Sequence, residues 1–155
     1  MLKLWEPGQE AEWLKSFEVR SGVRPWYSEI DSFGHVSNVH YCRYFEMGRL
    51  QYFKAVGDPD PTKGVFPFAH VLAEQHVRFI ERCFYDEHLD VLTKIIELGR
   101  SSATIEQAIV KDDQMRAVAM TVIVHNVNGE TLPWSTAQRE AIAKFEGFLS
   151  SAREF

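Results

Sequence analysis

Asp31 is the residue of this chain best placed to do chemistry. It lies in the run Tyr27-Ser28-Glu29-Ile30-Asp31-Ser32-Phe33-Gly34-His35-Val36-Ser37-Asn38-Val39-His40-Tyr41, between a strand-like segment and one of helical period. The first turn of a helix presents N–H groups without intrahelical acceptors and a partial positive charge. A carboxylate beside such an end can attack a carbonyl carbon, or take a proton from a water that attacks it, while the N–H groups hold the oxyanion. By composition alone, an aspartate in a loop is more commonly a turn or capping residue. The elements around it must decide.

Those elements read as follows. From Phe17 the chain alternates, with Phe17, Val19, Val23 and Tyr27 on one face and Glu18, Arg20 and Arg24 on the other, the periodicity of a strand. Pro25 within the run places that strand at a sheet edge. From Asn38 to about Val56 the period changes: Tyr41, Phe45, Gly48, Tyr52 and Val56 form one helical stripe. Ser37 or Asn38 is its N-cap, and Gly57-Asp58-Pro59-Asp60-Pro61 ends it. Further strands are expected through 69–79, 89–98, 102–110 and 115–126, the last covered on both faces through 117–124. Ala69, Val71, Ala73, Val77 and Phe79 would share one face of the first of these, opposite His70, Glu74, His76 and Arg78. Ser135 and Gln138 form a capping box that opens a C-terminal helix with Ala141, Phe145, Phe148 and Ala152 as its stripe. The order is strand, long helix, four strands, helix, and one antiparallel sheet curled around the long helix buries the apolar faces of both.

At 155 residues, 45% apolar and 25% charged, the chain is expected to form one domain over 17–155 after a lead-in over 1–16. A net charge of −5 without any basic stripe argues against nucleic acid as a partner. The longest apolar run, 117–124, is too short to span a bilayer, so no membrane partner is expected. Two cysteines in dissimilar contexts, Cys42 and Cys83, suit a reducing cytoplasm, and Cys42 is expected to be packed inside the helix. The N-terminus turns polar too soon for a signal peptide.

Other chemistries find less support. His70 and His76 would face one side of a strand yet lie ~20 Å apart at ~3.3 Å per residue, too far to share a metal. No His-Glu-x-x-His, paired Cys-x-x-Cys or phosphate-cradling glycine loop occurs. Gly99-Arg100-Ser101-Ser102-Ala103 lacks the second glycine of a nucleophile elbow.

The run from Asp31 through Gly34-His35-Val36-Ser37-Asn38 to Tyr41, followed by Tyr44-Phe45-Glu46 and Arg49, resembles the active-site signature of the 4-hydroxybenzoyl-CoA thioesterase-type hotdog family. Leu98-Gly99-Arg100-Ser101-Ser102 resembles a second, weaker stretch of it. With the order of elements, the similarity spans about 17–148. Ser37 departs from the family's usual asparagine.

The resemblance implies an α+β hotdog fold: a five-stranded antiparallel sheet wrapped around a long central helix, plus the C-terminal helix. It also implies a homodimer or homotetramer with active sites at the subunit interface, acting on an acyl-CoA without cofactor or metal. The catalytic aspartate falls on Asp31 and a backbone oxyanion donor near Asn38. Some members carry a functional tyrosine at the position of Tyr27. Relatives acting on acyl-carrier-protein thioesters use a histidine at the position of His35.

Each of these residues has a plainer role as well. His35 holds the turn or orients the reacting groups. The Asn38 side chain caps the helix or orients a water, and Tyr27 packs or reaches the site with its hydroxyl. Arg100, Ser101 and Ser102 hold the coenzyme A phosphates or pantetheine arm, or form only a polar hairpin turn; Arg78 and Arg82 are weaker candidates for the same task. Glu46 is expected to pair with Arg49 on the helix surface. Trp26, Phe33 and Phe66 could line an apolar pocket or belong to the core.

An acyl-carrier-protein thioesterase and a non-catalytic acyl-CoA-binding module are the alternative readings. A hotdog hydratase fits poorly, since its Asp-x-Asn-Pro-x-His run is missing.

Overall fold

The computed structural model describes residues 2–57 and 67–147. Its elements are α1 (Glu10–Lys15), β1 (Val19–Val23), a 3-10 turn (Tyr27–Glu29), α2 (Asn38–Val56), β2 (His70–Phe79), β3 (Leu89–Leu98), β4 (Ser102–Lys111), β5 (Gln114–Val127), β6 (Glu130–Thr131) and α3 (Thr136–Glu146). The five long strands form one antiparallel sheet in the order β1-β3-β4-β5-β2, and the two-residue β6 pairs with the end of β5. This is the expected hotdog fold, with α2 packed on one face of the sheet.

α2 forms because its apolar residues recur at helical spacing. Tyr41, Tyr44, Phe45, Gly48, Tyr52 and Phe53 are all buried. Gly48 is the point of closest approach: a Cβ there would lie 2.6 Å from Val91 Cγ1 and 2.8 Å from Thr93 Oγ1, both on β3. Arg49, expected to pair with Glu46 on the surface, is instead buried and donates from Nη1 to Gln107 Oε1 at 3.2 Å. The stripe is wide enough to carry position 49 inward while Glu46, three residues earlier, stays outside. Cys42 is exposed rather than packed, because one position beyond Tyr41 turns it off the stripe.

The opposite face of the sheet is covered by the N-terminal segment. Trp13 of α1 is buried against Leu92, Ala108, Val110 and Val118, with Leu2, Leu4 and Trp5 packed around it. Its Nε1 donates to Glu106 Oε2 at 2.8 Å, and Lys94 Nζ lies 3.1 Å from the same oxygen. The middle of β5 is therefore covered on both faces.

Two strands differ from expectation. β1 ends at Val23, since Pro25 has no N–H to continue the ladder. Phe17 lies before it and packs edge-on against Trp13 on the outer face, while Tyr27 falls in the 3-10 turn. β2 carries a bulge between Leu72 and Glu74 that reverses its alternation. His70 consequently packs on Phe53 of α2 and Phe79 on Tyr41, whereas Glu74 and His76 bond each other in solvent. His70 and His76 thus occupy opposite faces. β1 and β2 are the two edges of the sheet.

α3 opens with the expected box: Ser135 Oγ accepts from Gln138 N, and Gln138 Oε1 accepts from Ser135 N. Ala141 and Phe145 pack against the core. Asp58, Pro59, Asp60, Pro61, Phe66, Phe148 and Ala152 lie outside the described residues.

Gly48→Ala is expected to lower stability by about 1 kcal/mol: overpacking costs roughly 1–3 kcal/mol, and alanine's helix propensity returns about 1 kcal/mol. A lower urea midpoint at unchanged m-value would show it.

Candidate active site

The loop between β1 and α2 is held in shape by its own backbone. Ile30 and Val36 form an antiparallel bridge. Asp31 N donates to His35 O at 3.0 Å, and Gly34 N donates to Asp31 O at 3.1 Å. Gly34 sits at φ +83°, a conformation that favours glycine. Val36 N donates to Cys83 O and Ser37 N to Glu29 O, both at 2.9 Å. The loop is thus tied to the segment after β2 on one side and to its own entry turn on the other.

Asp31 Oδ1 accepts from Phe33 N at 2.8 Å, and Oδ2 lies 3.8 Å from His35 Nδ1. The first contact is an Asx turn, which orients the carboxylate. The second is beyond hydrogen-bond range, so His35 faces the acid without engaging it. Phe33, 83% exposed, stacks on the His35 imidazole at 6.3 Å between centroids.

Ser37 is the N-cap of α2, and its side chain makes no capping bond. Asn38 is therefore the first helical residue, with its side chain exposed. Among the described residues, no acceptor engages the backbone N–H of Asn38 or Val39. Asp31, His35, Val36, Asn38 and Tyr41 line a cleft of about 300 Å³ whose opposite wall is residues 79–82.

Behind that cleft, Cys83 N donates to Tyr41 Oη at 3.2 Å, and Arg116 Nη1 donates to Arg82 O at 2.7 Å. Ile80 N and Glu81 N both donate to Arg116 O. The chain through and just past this wall is therefore pinned at four consecutive residues, 80–83. Burial pushes both the Tyr41 phenol and the Cys83 thiol above their ordinary pKa values.

Of the residues singled out in the sequence, Asp31, His35 and Asn38 share this cleft, and Arg82 joins them in its wall. Tyr27 does not: it is 80% exposed and packs edge-on against Tyr85. Arg100, Ser101 and Ser102 lie at the other end of the sheet. Phe79, beside the cleft, pairs with Ala117 on β5, whereas Ser102 pairs with Val124, a separation of ~23 Å at ~3.3 Å per residue. Their turn is fixed by bonds from Trp134 N to Arg100 O and from His125 N to Ser101 O.

Sequence reasoning missed Glu29, only 6% exposed. Its Oε2 accepts from Tyr44 Oη and from Trp26 N, each at 2.7 Å, and its Oε1 lies 3.7 Å from His40 Nδ1. A glutamate two residues before the acid had no apolar pattern to mark it as buried.

The family model of the thioesterase-like superfamily matches residues 23–142. The uncharacterized protein YsmA of Bacillus subtilis (strain 168) is 27% identical over 134 residues, 84% of this chain and 89% of that protein. Among solved structures, a thioesterase from Thermus thermophilus complexed with coenzyme A and zinc superimposes with a TM-score of 0.76. It is 27% identical, with 87% of this chain and 98% of that one covered. The DHNA-CoA thioesterase of Staphylococcus aureus shares the fold at a TM-score of 0.70 and 17% identity, over 83% of this chain and 90% of that one.

The thiolate is the reactive form of cysteine, so the two thiols should separate cleanly. At pH 8 a thiol reagent is expected to modify Cys42 quickly and Cys83 only after denaturation. Two fast equivalents in the native protein would show that the wall behind Asp31 opens readily.

Proposed function

The chain belongs to the thioesterase-like superfamily, and on that premise we propose that it hydrolyses an acyl-CoA thioester to the free acid and CoA, with Asp31 as nucleophile or general base and backbone N–H groups at the start of α2 as the oxyanion hole. The observation that carries this reading is that Asp31 and Asn38 line one cleft, with no acceptor on the Asn38 N–H among the described residues. Coenzyme A as carrier is supported by the Thermus thermophilus relative, which was solved with that molecule bound.

Two routes fit the arrangement. In one, a carboxylate oxygen of Asp31 attacks the thioester carbon, the C–S bond breaks, and water then cleaves the mixed anhydride. In the other, Asp31 takes a proton from water as that water attacks. In both, the carbonyl oxygen becomes negative and would lie against Asn38 N–H, which would lower the barrier by about 3–4 kcal/mol. The departing thiol has a pKa near ~8.5 in the cysteine model, so it leaves as thiolate without a strong acid. The resemblance to the 4-hydroxybenzoyl-CoA thioesterase type supports such an arrangement. His35 orients the reacting groups.

A homodimer completes the reading. β2 is an edge strand that exposes Val71, Leu72 and Phe79, with Ile80 just beyond, and an unpaired edge of this kind is a template for another strand. Antiparallel pairing of β2 with its copy about a two-fold axis would bring the Arg100, Ser101 and Ser102 end of one subunit toward the Asp31 end of the other. These residues would then hold the phosphates or pantetheine of a substrate whose thioester lies at Asp31. The same chemistry on an acyl-carrier protein is the alternative, favoured only by His35.

Asp31→Asn is expected to lower kcat/KM on a panel of acyl-CoA esters by about 10²–10⁴-fold, with the fold intact by circular dichroism. Equal activity of variant and wild type would remove Asp31 from the mechanism. Single-turnover hydrolysis in heavy-oxygen water bears on the route: label in Asp31 supports the anhydride, and its absence favours the general base. Matched acyl chains on either carrier decide the substrate class.

A further inference from the structure

We propose that Glu29 is a positioning residue that fixes Asp31 against the first turn of α2, an inference that rests on the reading of Asp31 given above. Burying a carboxylate is costly unless its oxygens are hydrogen-bonded. Glu29 meets that condition with donors from two different elements. Tyr44 Oη comes from the second turn of α2 and Trp26 N from the start of the entry turn, and both converge on Oε2 at 2.7 Å. The side chain therefore fastens the turn that leads into Asp31 directly onto the helix.

The main chain of the same residue completes the connection. Glu29 O accepts from Ser37 N at 2.9 Å, and Ser37 is the N-cap of α2. One residue thus contacts the entry of the loop through its side chain, the exit of the loop through its carbonyl, and the helix body through Tyr44. Asp31 is two residues along the strand-like limb that Glu29 begins, and Asn38 is one residue past the N–H that Glu29 receives. Together with the Ile30–Val36 bridge and the Asp31 N to His35 O bond, this fastening sets the distance between acid and oxyanion donor, since among the described residues the Asp31 side chain hydrogen-bonds only Phe33 N within its own turn.

The role belongs to hydrogen-bond acceptance at the Oε2 position rather than to negative charge. An amide oxygen placed there accepts from Tyr44 and Trp26 alike, and the amide nitrogen in the place of Oε1 faces His40. Glutamine should accordingly do the work of glutamate, and alanine should not. A residue that merely stabilised the fold would lower the unfolding midpoint and leave turnover by the folded protein unchanged.

The test compares Glu29→Gln, Glu29→Ala, Tyr44→Phe and Asp31→Asn on the acyl-CoA ester that wild type hydrolyses best, together with amide hydrogen exchange. Glu29→Ala is expected to lower kcat at least tenfold with KM within threefold, Glu29→Gln to stay within threefold of wild-type kcat, and Tyr44→Phe to lose severalfold. Exchange at Asp31 and Ser37 is expected to quicken at least tenfold in Glu29→Ala, with the amides of β4 unchanged. Wild-type kcat in folded Glu29→Ala, or an equal loss in Glu29→Gln, overturns the proposal. Should Glu29→Ala fail to fold, wild-type kcat in Tyr44→Phe overturns it. An inactive Asp31→Asn beside a fully active Glu29→Ala refutes the positioning role alone. A wild type that hydrolyses no ester, with the exchange pattern present, refutes the thioesterase reading alone; unchanged exchange in that case refutes positioning too.

Discussion

The close seating of α2 on the sheet is the contact on which the rest of the molecule depends. At Gly48 the helix comes within van der Waals reach of Val91 and Thr93, with no room for even a methyl group. One turn away, Gln107 Nε2 donates to Phe45 O and to Thr93 Oγ1, while its Oε1 accepts from Arg49. These bonds give the apolar interface a register, because a helix slipped by one residue would leave a buried amide and a buried guanidinium unpaired. With the helix held in the sheet, its first turn has a fixed place at one end of it.

At that end, among the described residues, the N–H groups of Asn38 and Val39 have no acceptor. A helix normally has its leading N–H groups covered by a capping side chain or by water. Here Ser37 supplies no side-chain bond, and the chain's own contacts go to the residues around the first turn. Val36 is tied to Cys83 and Ser37 to Glu29, so the backbone leading into the helix is fastened, while Asn38, which lines the cleft, has no acceptor for its N–H among the described residues. Preorganised donors of this kind stabilise a developing oxyanion without reorganising during the reaction. The segment after β2 that walls the cleft is pinned by Arg116 and Tyr41, which keeps its position tied to the same helix.

How much of this was legible follows the physics of each signal. α2 could be read because its stripe repeats across five turns, and β5 because small and branched apolar residues fill both of its faces. The Asp31, His35 and Asn38 cluster was visible because it is local, confined to one loop and one helix start. The bulge in β2 was not legible: an inserted residue changes which face follows without changing composition, so His70 and His76 were placed on one side. Arg49 and Glu29 were misjudged or missed because a buried charge is recognised only by its partners, Gln107 and Tyr44, which lie 58 and 15 residues away. Tyr27 followed the alternation of β1 past the proline that ends it. The distance from Asp31 to the 100–102 turn depends on strand order, which periodicity does not contain.

In the proposed reaction a thioester carbonyl sits between the Asp31 carboxylate and the first N–H groups of α2. A crystal structure with a non-hydrolysable acyl-CoA analogue tests it most directly. The carbonyl oxygen is expected ~2.7–3.1 Å from the Asn38 nitrogen, with Asp31 against the carbonyl carbon or one water away. An analogue bound with its carbonyl elsewhere, and Asp31 facing only solvent, would contradict it.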